Sequence, residues 1–218
     1  GDSHHLNPEI FHSCRIREVV GAVQRLQQLE PAQAVNLVGF SLGGNFCLRV
    51  GARAAEAGLR LEQVVAVCPV IDPEHTLVQL ERGWALYRQY FVWKWRRSLR
   101  RKQAAWPQLY DLSEALELDN LTDMTDHLVC KYGGYPSLGE YLHGYAIVDD
   151  ALASLVHPTR IISAADDPII PAADLERLAR PPALSITCTT LGGHCGFYDG
   201  QGELTWIERE VLATLERA

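Results

Sequence analysis

Toward both ends of this chain, stretches with the apolar period of a helix alternate with short apolar runs of the kind found in strands. Between residues 15 and 29 they recur on one helical face, at Ile16, Val19, Val20, Val23 and Leu26. Short apolar runs typical of buried strands follow at 34–38, 64–68, 159–164 and 184–191. Helices are predicted after the first strand, between the last two strands, and at 205–215. Strands that alternate with helices predict an α/β fold with a mostly parallel sheet.

The middle of the chain, residues 73–156, has little strand character. The pattern predicts helices with breaks near Pro107, Asp119-Asn120 and Gly133-Gly134. We interpret this stretch as a helical cap inserted between two strands of the sheet. The predicted organisation is then a single domain, residues 1–218, with a core formed by 1–72 and 157–218.

The sequence Gly39-Phe40-Ser41-Leu42-Gly43 lies between the first predicted strand and the helix after it. A G-x-S-x-G motif in this setting is typical of a nucleophile elbow, a strained turn that exposes the serine hydroxyl. We expect glycine at 39 and 43 because neighbouring turns leave no room for a β-carbon. The Leu42 N–H, at the start of the helix, is the predicted oxyanion donor. The alternative is an ordinary strand-to-helix turn.

A serine nucleophile needs a histidine that takes its proton and an acid that orients the histidine. In folds with this elbow the chain order is serine, acid, histidine. Asp166 and Asp167 follow the third predicted strand. We expect Asp167 to be the acid, since it directly precedes the Pro-Ile-Ile-Pro segment, and Asp166 to brace the loop. Asp72, after the second strand, is the weaker rival.

His194 follows the last predicted strand, within the glycine-rich segment Gly192-Gly193-His194-Cys195-Gly196-Phe197. Flanking glycines let the ring turn toward a serine without blocking the site, so His194 is the predicted base. The other seven histidines are scattered through helical and loop segments. None forms an H-x-x-x-H or H-E-x-x-H pair, so we predict no metal site and no cofactor.

The elbow and the histidine segment together resemble those of the YheT-type α/β-hydrolases of bacteria. Their eukaryotic relatives include membrane-associated lipid hydrolases and yeast medium-chain ester synthases. The resemblance extends over nearly the whole chain and includes Gly1-Asp2-Ser3, Asn7, Phe11-His12-Ser13, Gly44-Asn45, Pro158-Thr159 and Ala165-Asp166-Asp167-Pro168. It implies that Ser41, Asp167 and His194 act as nucleophile, acid and base. Cys195 stands where the family has an aliphatic residue.

The resemblance implies an enzyme that hydrolyses carboxylic esters, with medium-chain acyl or lipid esters as substrates. Acyl transfer to an alcohol would use the same residues. Family members carry the first strands of the sheet, and an H-G-x-x-G loop with a second oxyanion donor, upstream of the position of Gly1. We therefore expect an N-terminally truncated chain. The alternative from another class is a catalytically impaired fragment that serves as a binding or structural remnant.

The composition of the chain excludes several other classes of protein. The 218 residues are 47% hydrophobic and 22% charged, which is ordinary for a globular domain. The net charge of −7 argues against general nucleic-acid binding. Six cysteines without a C-x-x-C pair predict reduced thiols in a cytoplasmic protein. No apolar run approaches the ~20 residues of a membrane span.

One segment differs from this acidic background. Residues 81–102 contain eight of the 20 Lys and Arg and a single acid, Glu81, so they carry +7. Within and just before this segment, bulky apolar residues recur at helical spacing, at Leu80, Trp84, Tyr87, Phe91 and Trp95. These residues fit a cap helix that packs its aromatic face inward, or an interfacial helix that contacts anionic lipid at a membrane.

Overall fold

The computed structural model describes residues 3–200 and 203–216. Gly1 and Asp2, which contribute to the family resemblance, lie outside the described residues. The chain divides into two compact units. One unit comprises residues 3–12 and 77–144, and the other comprises residues 13–76 and the chain from residue 145 onward.

The strands all belong to the second unit and form one parallel sheet in the order β1-β2-β3-β4. They are β1 Val35–Phe40, β2 Leu61–Val67, β3 Thr159–Ala164 and β4 Leu184–Thr189. The described α-helices are α1 Ile16–Leu29, α2 Leu42–Ala52, α3 Pro73–Arg82, α4 Ala85–Ala105, α5 Ser113–Glu117, α6 Leu121–Lys131, α7 Leu138–His143 and α8 Trp206–Leu215. The four strands lie where the apolar runs predicted them, which confirms the α/β class and the parallel sheet.

The central strands β2 and β3 are buried along nearly their whole length, whereas the outer strands β1 and β4 are partly exposed. This difference explains the continuous apolar run of β2, since a central parallel strand is covered on both faces. Helix α8 packs Ile207 and Val211 against Val65 and Ile162 of the sheet. Its first turn is closed by a capping box at Thr205, which fixes where the helix begins.

The segment between β3 and β4 differs from the prediction. We expected a crossover α-helix, but the structure has a short 3₁₀-helix at Ala172–Arg177. Pro171 lies directly before it, and Pro181-Pro182 follow within a few residues. Prolines at both ends restrict the preceding backbone and remove N–H donors, so the segment is too short for a full α-helix.

The first unit is helical, as the absence of strand patterning predicts. Its core contains Val92, Leu99, Leu112, Ala115, Leu121, Met124 and Leu128. Helix α4 ends before Pro107, Asn120 caps α6 by accepting from the Asp123 N–H, and α6 ends before Gly133. The predicted breaks are therefore confirmed. The division into a core and a cap at residues 73 and 156 stays a prediction.

The sequence pattern missed a further break at Gly83-Trp84. Helix α3 ends at Arg82 and α4 begins at Ala85, so the predicted aromatic face from Leu80 to Trp95 is not one helical face. Phe91 and Trp95 pack against the core of this unit. Trp84 and Tyr87 are 73% and 41% exposed. Part of the predicted aromatic face is thus buried and part is exposed. Neither an inward-packed cap helix nor an interfacial helix explains both parts.

A different stripe of α4 is exposed. Leu86, Tyr90, Trp93 and Arg97 follow one another at helical spacing, and each is exposed. The Arg97 guanidinium lies 5.6 Å from the centre of the Trp93 ring. Across residues 3–200 and 203–216, we find no helix whose length and hydropathy would let it span a membrane.

Candidate active site

Ser41 lies in the turn that joins β1 to α2. Its backbone adopts φ 52° and ψ −121°, a conformation that costs a non-glycine residue about 1–3 kcal/mol. The Ser41 N–H donates to the Val67 carbonyl at the end of β2, with an N–O distance of 2.8 Å. The Ser41 carbonyl accepts from the N–H groups of Asn45 and Val70. These bonds hold the strained turn and expose the serine at the carboxyl edge of the sheet.

Only one of the two glycines in the motif lies where a β-carbon would clash with neighbouring atoms. A β-carbon at Gly39 would lie 2.3 Å from the Gly43 carbonyl oxygen, whereas one at Gly43 would meet nothing within 4 Å. Our expectation for Gly43 is therefore wrong. The second close approach is at Gly44, where a β-carbon would lie 3.1 Å from the Gly39 oxygen and from Pro69 Cβ. The first turn of α2 presents Gly44 to the strand and Gly43 outward.

His194 lies in the loop after β4, and its Nε2 is 3.0 Å from Ser41 Oγ. The loop is compact, because the Phe197 N–H donates to the Gly192 carbonyl. A β-carbon at Gly192 would lie 2.5 Å from the Phe197 ring, so this glycine allows the ring to fold back beneath the loop. Gly193 has φ 57°, which glycine adopts without strain.

Asp167 lies on the other side of the histidine ring. Its Oδ2 is 2.9 Å from His194 Nδ1, and the carboxylate is 1% exposed. Its Oδ1 accepts from the backbone N–H groups of Ile169 and Ile170, at 2.8 and 3.0 Å. The carboxylate is thus oriented by its own loop. With Nδ1–H donating to Asp167, Nε2 is the nitrogen that accepts from Ser41.

The two rival aspartates have other partners. Asp166 Oδ1 accepts from the Gly193 N–H at 2.8 Å, so Asp166 holds the histidine loop. Asp72 pairs with Arg177 and accepts from the first N–H groups of α3. Burial acts to raise the pKa of Asp72, but Arg177 and these N–H groups outweigh it and lower the pKa. The contact with His194 is therefore made by Asp167.

Leu42 is the first residue of α2. The first N–H groups of a helix have no intrahelical acceptor, and the helix dipole adds partial positive charge there. The Leu42 N–H is therefore chemically suited to bind an anion next to Ser41. Its role as an oxyanion donor stays a prediction.

Two buried polar residues support the elbow, and neither of them was predicted to do so. Asn45 Nδ2 donates to the carbonyls of Val70 and Tyr145, at 2.9 and 2.8 Å. Arg49 Nη1 donates to the Ser13 carbonyl at 2.7 Å and to Asn45 Oδ1 at 3.3 Å. The available signal was an Asn and an Arg four residues apart in an otherwise apolar helix. Such residues are rarely buried unless their polar atoms are paired.

The electrostatics of the histidine depend on its neighbours. Burial lowers the pKa of His194, but the hydrogen bond to Asp167 and the interactions with Cys195 outweigh it and raise the pKa to about 9. The Cys68 thiol and His194 lower the pKa of the adjacent Cys195, with burial opposing them. Ligand atoms of Cys68, His194 and Cys195 lie within 4.8 Å of one another. These three residues could hold a metal, although no metal-site spacing is present in the sequence.

Comparison with known proteins identifies relatives that match nearly the whole chain. The profile of the alpha/beta hydrolase family matches residues 2–204. Monoacylglycerol lipase ABHD2 of Danio rerio is 25% identical, with 95% of this chain and 53% of the relative covered. ABHD2 of Homo sapiens is 26% identical, with 94% and 53% covered. Phospholipase ABHD3 of Mus musculus is 21% identical, with 94% and 51% covered. The chain spans about half the length of these curated relatives.

Two solved structures have a similar fold. The serine hydrolase CCSP0084 of Cycloclasticus zankles superposes with a TM-score of 0.52 at 18% identity, over 96% of this chain and 72% of that one. A meta-cleavage product hydrolase, the CumD A129V mutant, gives a TM-score of 0.51 at 16% identity, over 93% and 72%. At these identities the likeness concerns the fold alone. Together with the family profile, it confirms the predicted α/β-hydrolase fold.

The glycine geometry yields a stability prediction. Gly39→Ala should lower the free energy of unfolding by about 1–3 kcal/mol or more, because the added methyl group overlaps the backbone of α2. Gly43→Ala is the matched control, since its methyl group meets open space. It should leave stability unchanged or raise it by up to ~1 kcal/mol, because alanine favours a helix. Urea unfolding of both variants measures the difference, and equal losses would contradict the geometry.

Proposed function

The chain belongs to the alpha/beta hydrolase family, and on that premise we propose that it is a serine hydrolase of carboxylic esters. The single observation that carries the proposal is the continuous chain of hydrogen bonds from Ser41 to His194 to Asp167. A serine oxygen, an imidazole and an oriented carboxylate in this order form the arrangement that activates a serine for attack.

The mechanism follows from these contacts. Ser41 Oγ attacks the ester carbonyl while His194 Nε2, 3.0 Å away, takes its proton. Asp167 keeps the ring in the required tautomer and stabilises the imidazolium. The Leu42 N–H stabilises the negative oxygen of the tetrahedral intermediate. His194 then returns the proton to the leaving alcohol, and water releases the acyl group by the reverse sequence.

For the substrate, we propose medium-chain acyl or lipid esters and membership of the YheT-type subfamily. The proposal is supported by the motifs of the elbow and histidine loop and by relatives named as a monoacylglycerol lipase and a phospholipase. Acyl transfer requires only that an alcohol replaces water in the second step. We also propose a cytoplasmic location, supported by six cysteines that form no C-x-x-C pair in the sequence, which cell fractionation would test.

The role of each side chain can be tested by substitution. Ser41→Ala or His194→Ala should lower kcat for p-nitrophenyl butyrate by roughly 10⁶-fold, because these groups act as a unit. Asp167→Asn should cost about 10⁴-fold, since the histidine loses its orienting carboxylate. Asp72→Asn is the matched control and should cost far less. A fluorophosphonate probe should label the protein at Ser41 and fail to label Ser41→Ala.

Three outcomes would contradict this proposal. Labelling that survives Ser41→Ala would remove Ser41 as the nucleophile. A severe loss in Asp72→Asn, with Asp167→Asn mild, would reassign the acid. A well-folded chain that neither turns over esters nor reacts with the probe would favour the alternative of a binding or structural remnant.

Activity should also depend on pH in a defined direction. The base must be neutral to accept a proton, and the pKa of His194 is raised to about 9. The imidazolium form therefore predominates below that pH, and kcat/KM should rise as the pH increases through about 9. Cys195→Ala should move the midpoint to lower pH, because the neighbouring sulfur helps to raise the pKa. The measurement is kcat/KM between about pH 6 and pH 10. A midpoint near 6.5, the ordinary value for histidine, would contradict the prediction.

We also propose that the exposed stripe of α4 contacts an anionic membrane surface. Tyr90 and Trp93 are about half exposed, and their rings lie beneath the cations of Lys94 and Arg97. Aromatic rings flanked by cations suit the boundary between lipid headgroups and acyl chains. The basic charge of this helix, in an otherwise acidic chain, complements anionic lipid.

Vesicle sedimentation tests the membrane contact. Lys94→Glu and Arg97→Glu should each weaken binding to phosphatidylglycerol vesicles by at least about fivefold, the effect of losing one cation near the surface. Arg17→Glu, at an exposed position of α1, makes a matched charge change in a residue that is not part of the stripe and should retain binding. Equal effects of all three variants would show that net charge alone matters. Binding that no variant weakens would exclude α4 as the contact.

A further inference from the structure

Two thiols lie beside the proposed catalytic histidine, and the proposed mechanism uses neither. Cys68 follows β2 and is fully buried, whereas Cys195 follows His194 in the loop after β4 and is partly exposed. The two sulfurs and a ring nitrogen of His194 lie within 4.8 Å of one another. Strands β2 and β4 run parallel in one sheet with β3 between them, so both end at the same edge, which explains why residues so distant in sequence meet there.

The backbone directs both sulfurs into this position. Cys68 and Cys195 adopt φ 42° and 66°, a region that non-glycine residues rarely occupy. Each sulfur contacts the other loop, since Cys68 Sγ lies 3.8 Å from the Gly193 oxygen and Cys195 Sγ lies 3.8 Å from the Val67 oxygen. Thiols are weak donors, so little binding energy holds their protons in place. The sulfurs are therefore fixed in space by the backbone but free to take a stronger partner.

We propose that Cys68, Cys195 and His194 bind a thiophilic divalent cation, such as Zn²⁺ or Cd²⁺, and that the bound cation blocks the histidine. Two thiolates and an imidazole form a donor set that such cations prefer. Tetrahedral zinc, with bonds of about 2.3 Å to sulfur and 2.0–2.1 Å to nitrogen, needs donor atoms about 3.6–3.8 Å apart. The observed limit of 4.8 Å requires a contraction of about 1.2 Å at most. One coordination position remains for water or another oxygen ligand.

Binding of the cation changes no oxidation state and therefore needs no oxidant. Each thiol releases one proton as its sulfur binds the cation, and the imidazole contributes a nitrogen lone pair. At Nε2 that lone pair is the one that accepts from Ser41, whereas coordination through Nδ1 would require the ring to give up the N–H that donates to Asp167. Coordination through either nitrogen removes one of the two contacts on which the proposed mechanism depends. The blocking effect therefore rests on the proposed function, whereas cation binding does not.

Cation binding can be measured directly. Cd²⁺ titrated into the full chain, with a non-thiol reductant present, should produce the ultraviolet charge-transfer band of a cadmium–thiolate site at one equivalent. Cys68→Ala and Cys195→Ala should each weaken this binding by more than about 100-fold, since even losing a residue that only supports a ligand costs 10–100-fold. Alanine at position 68 avoids placing a new polar group in a fully buried site. Cys195 is partly exposed, so its variant keeps the test valid if Cys68→Ala does not fold.

The exposed cysteines provide matched controls. Cys130→Ser and Cys188→Ser remove thiols outside this group and should keep the band and the affinity of the unaltered chain. A band that is absent, or that survives in Cys195→Ala, would overturn the site. In the esterase assay Zn²⁺ should inhibit the unaltered chain and Cys188→Ser alike, a chelator should restore turnover, and Cys195→Ala should resist inhibition. A cysteine-dependent band in a chain without esterase activity would retain the site and reject the proposed function. Esterase activity without such a band would do the reverse.

Discussion

The backbone N–H of Ser41 donates to the Val67 carbonyl, and this bond joins the turn after β1 to the end of β2. It holds Ser41 at a positive φ that the residue would not adopt alone. The close approach of α2 to the strand at Gly39 and Gly44 maintains the same turn from the other side. The position of the serine hydroxyl is therefore set by the backbone. The contacts of His194 and Asp167 depend on that position.

The register of the parallel sheet brings the remaining groups to that point. Because β1, β3 and β4 all end at the same edge, their following loops carry Ser41, the two aspartates and His194 to one place. Asp166 and Asp167 then divide two tasks between adjacent positions. Asp167 contacts the imidazole, and Asp166 holds the loop that carries it through the Gly193 N–H. A loop that is anchored in this way limits the freedom of the histidine ring, which favours a fixed distance to the serine.

The same convergence has a consequence for control of the site. Loops that meet at the end of β2 place Cys68 and Cys195 against the histidine, so the group proposed to accept the serine proton also lies beside two soft donors. A proton and a cation would compete for the same imidazole, because both bind its lone pair. The raised pKa of His194 and the proposed cation site are thus two properties of one crowded position.

The sequence by itself determined the features that depend on neighbouring residues. The strands, the Ser41 turn, the histidine loop and the preference for Asp167 over Asp166 could all be read from local patterns, because apolar periodicity and turn chemistry act over a few residues. The tertiary structure alone decided which glycine is crowded, which stripe of α4 faces outward, and that Arg49 supports the elbow through Ser13. It also decided that Cys68 meets Cys195. Each of these depends on a contact between residues far apart in the chain, and no local pattern records which segments folding will bring together.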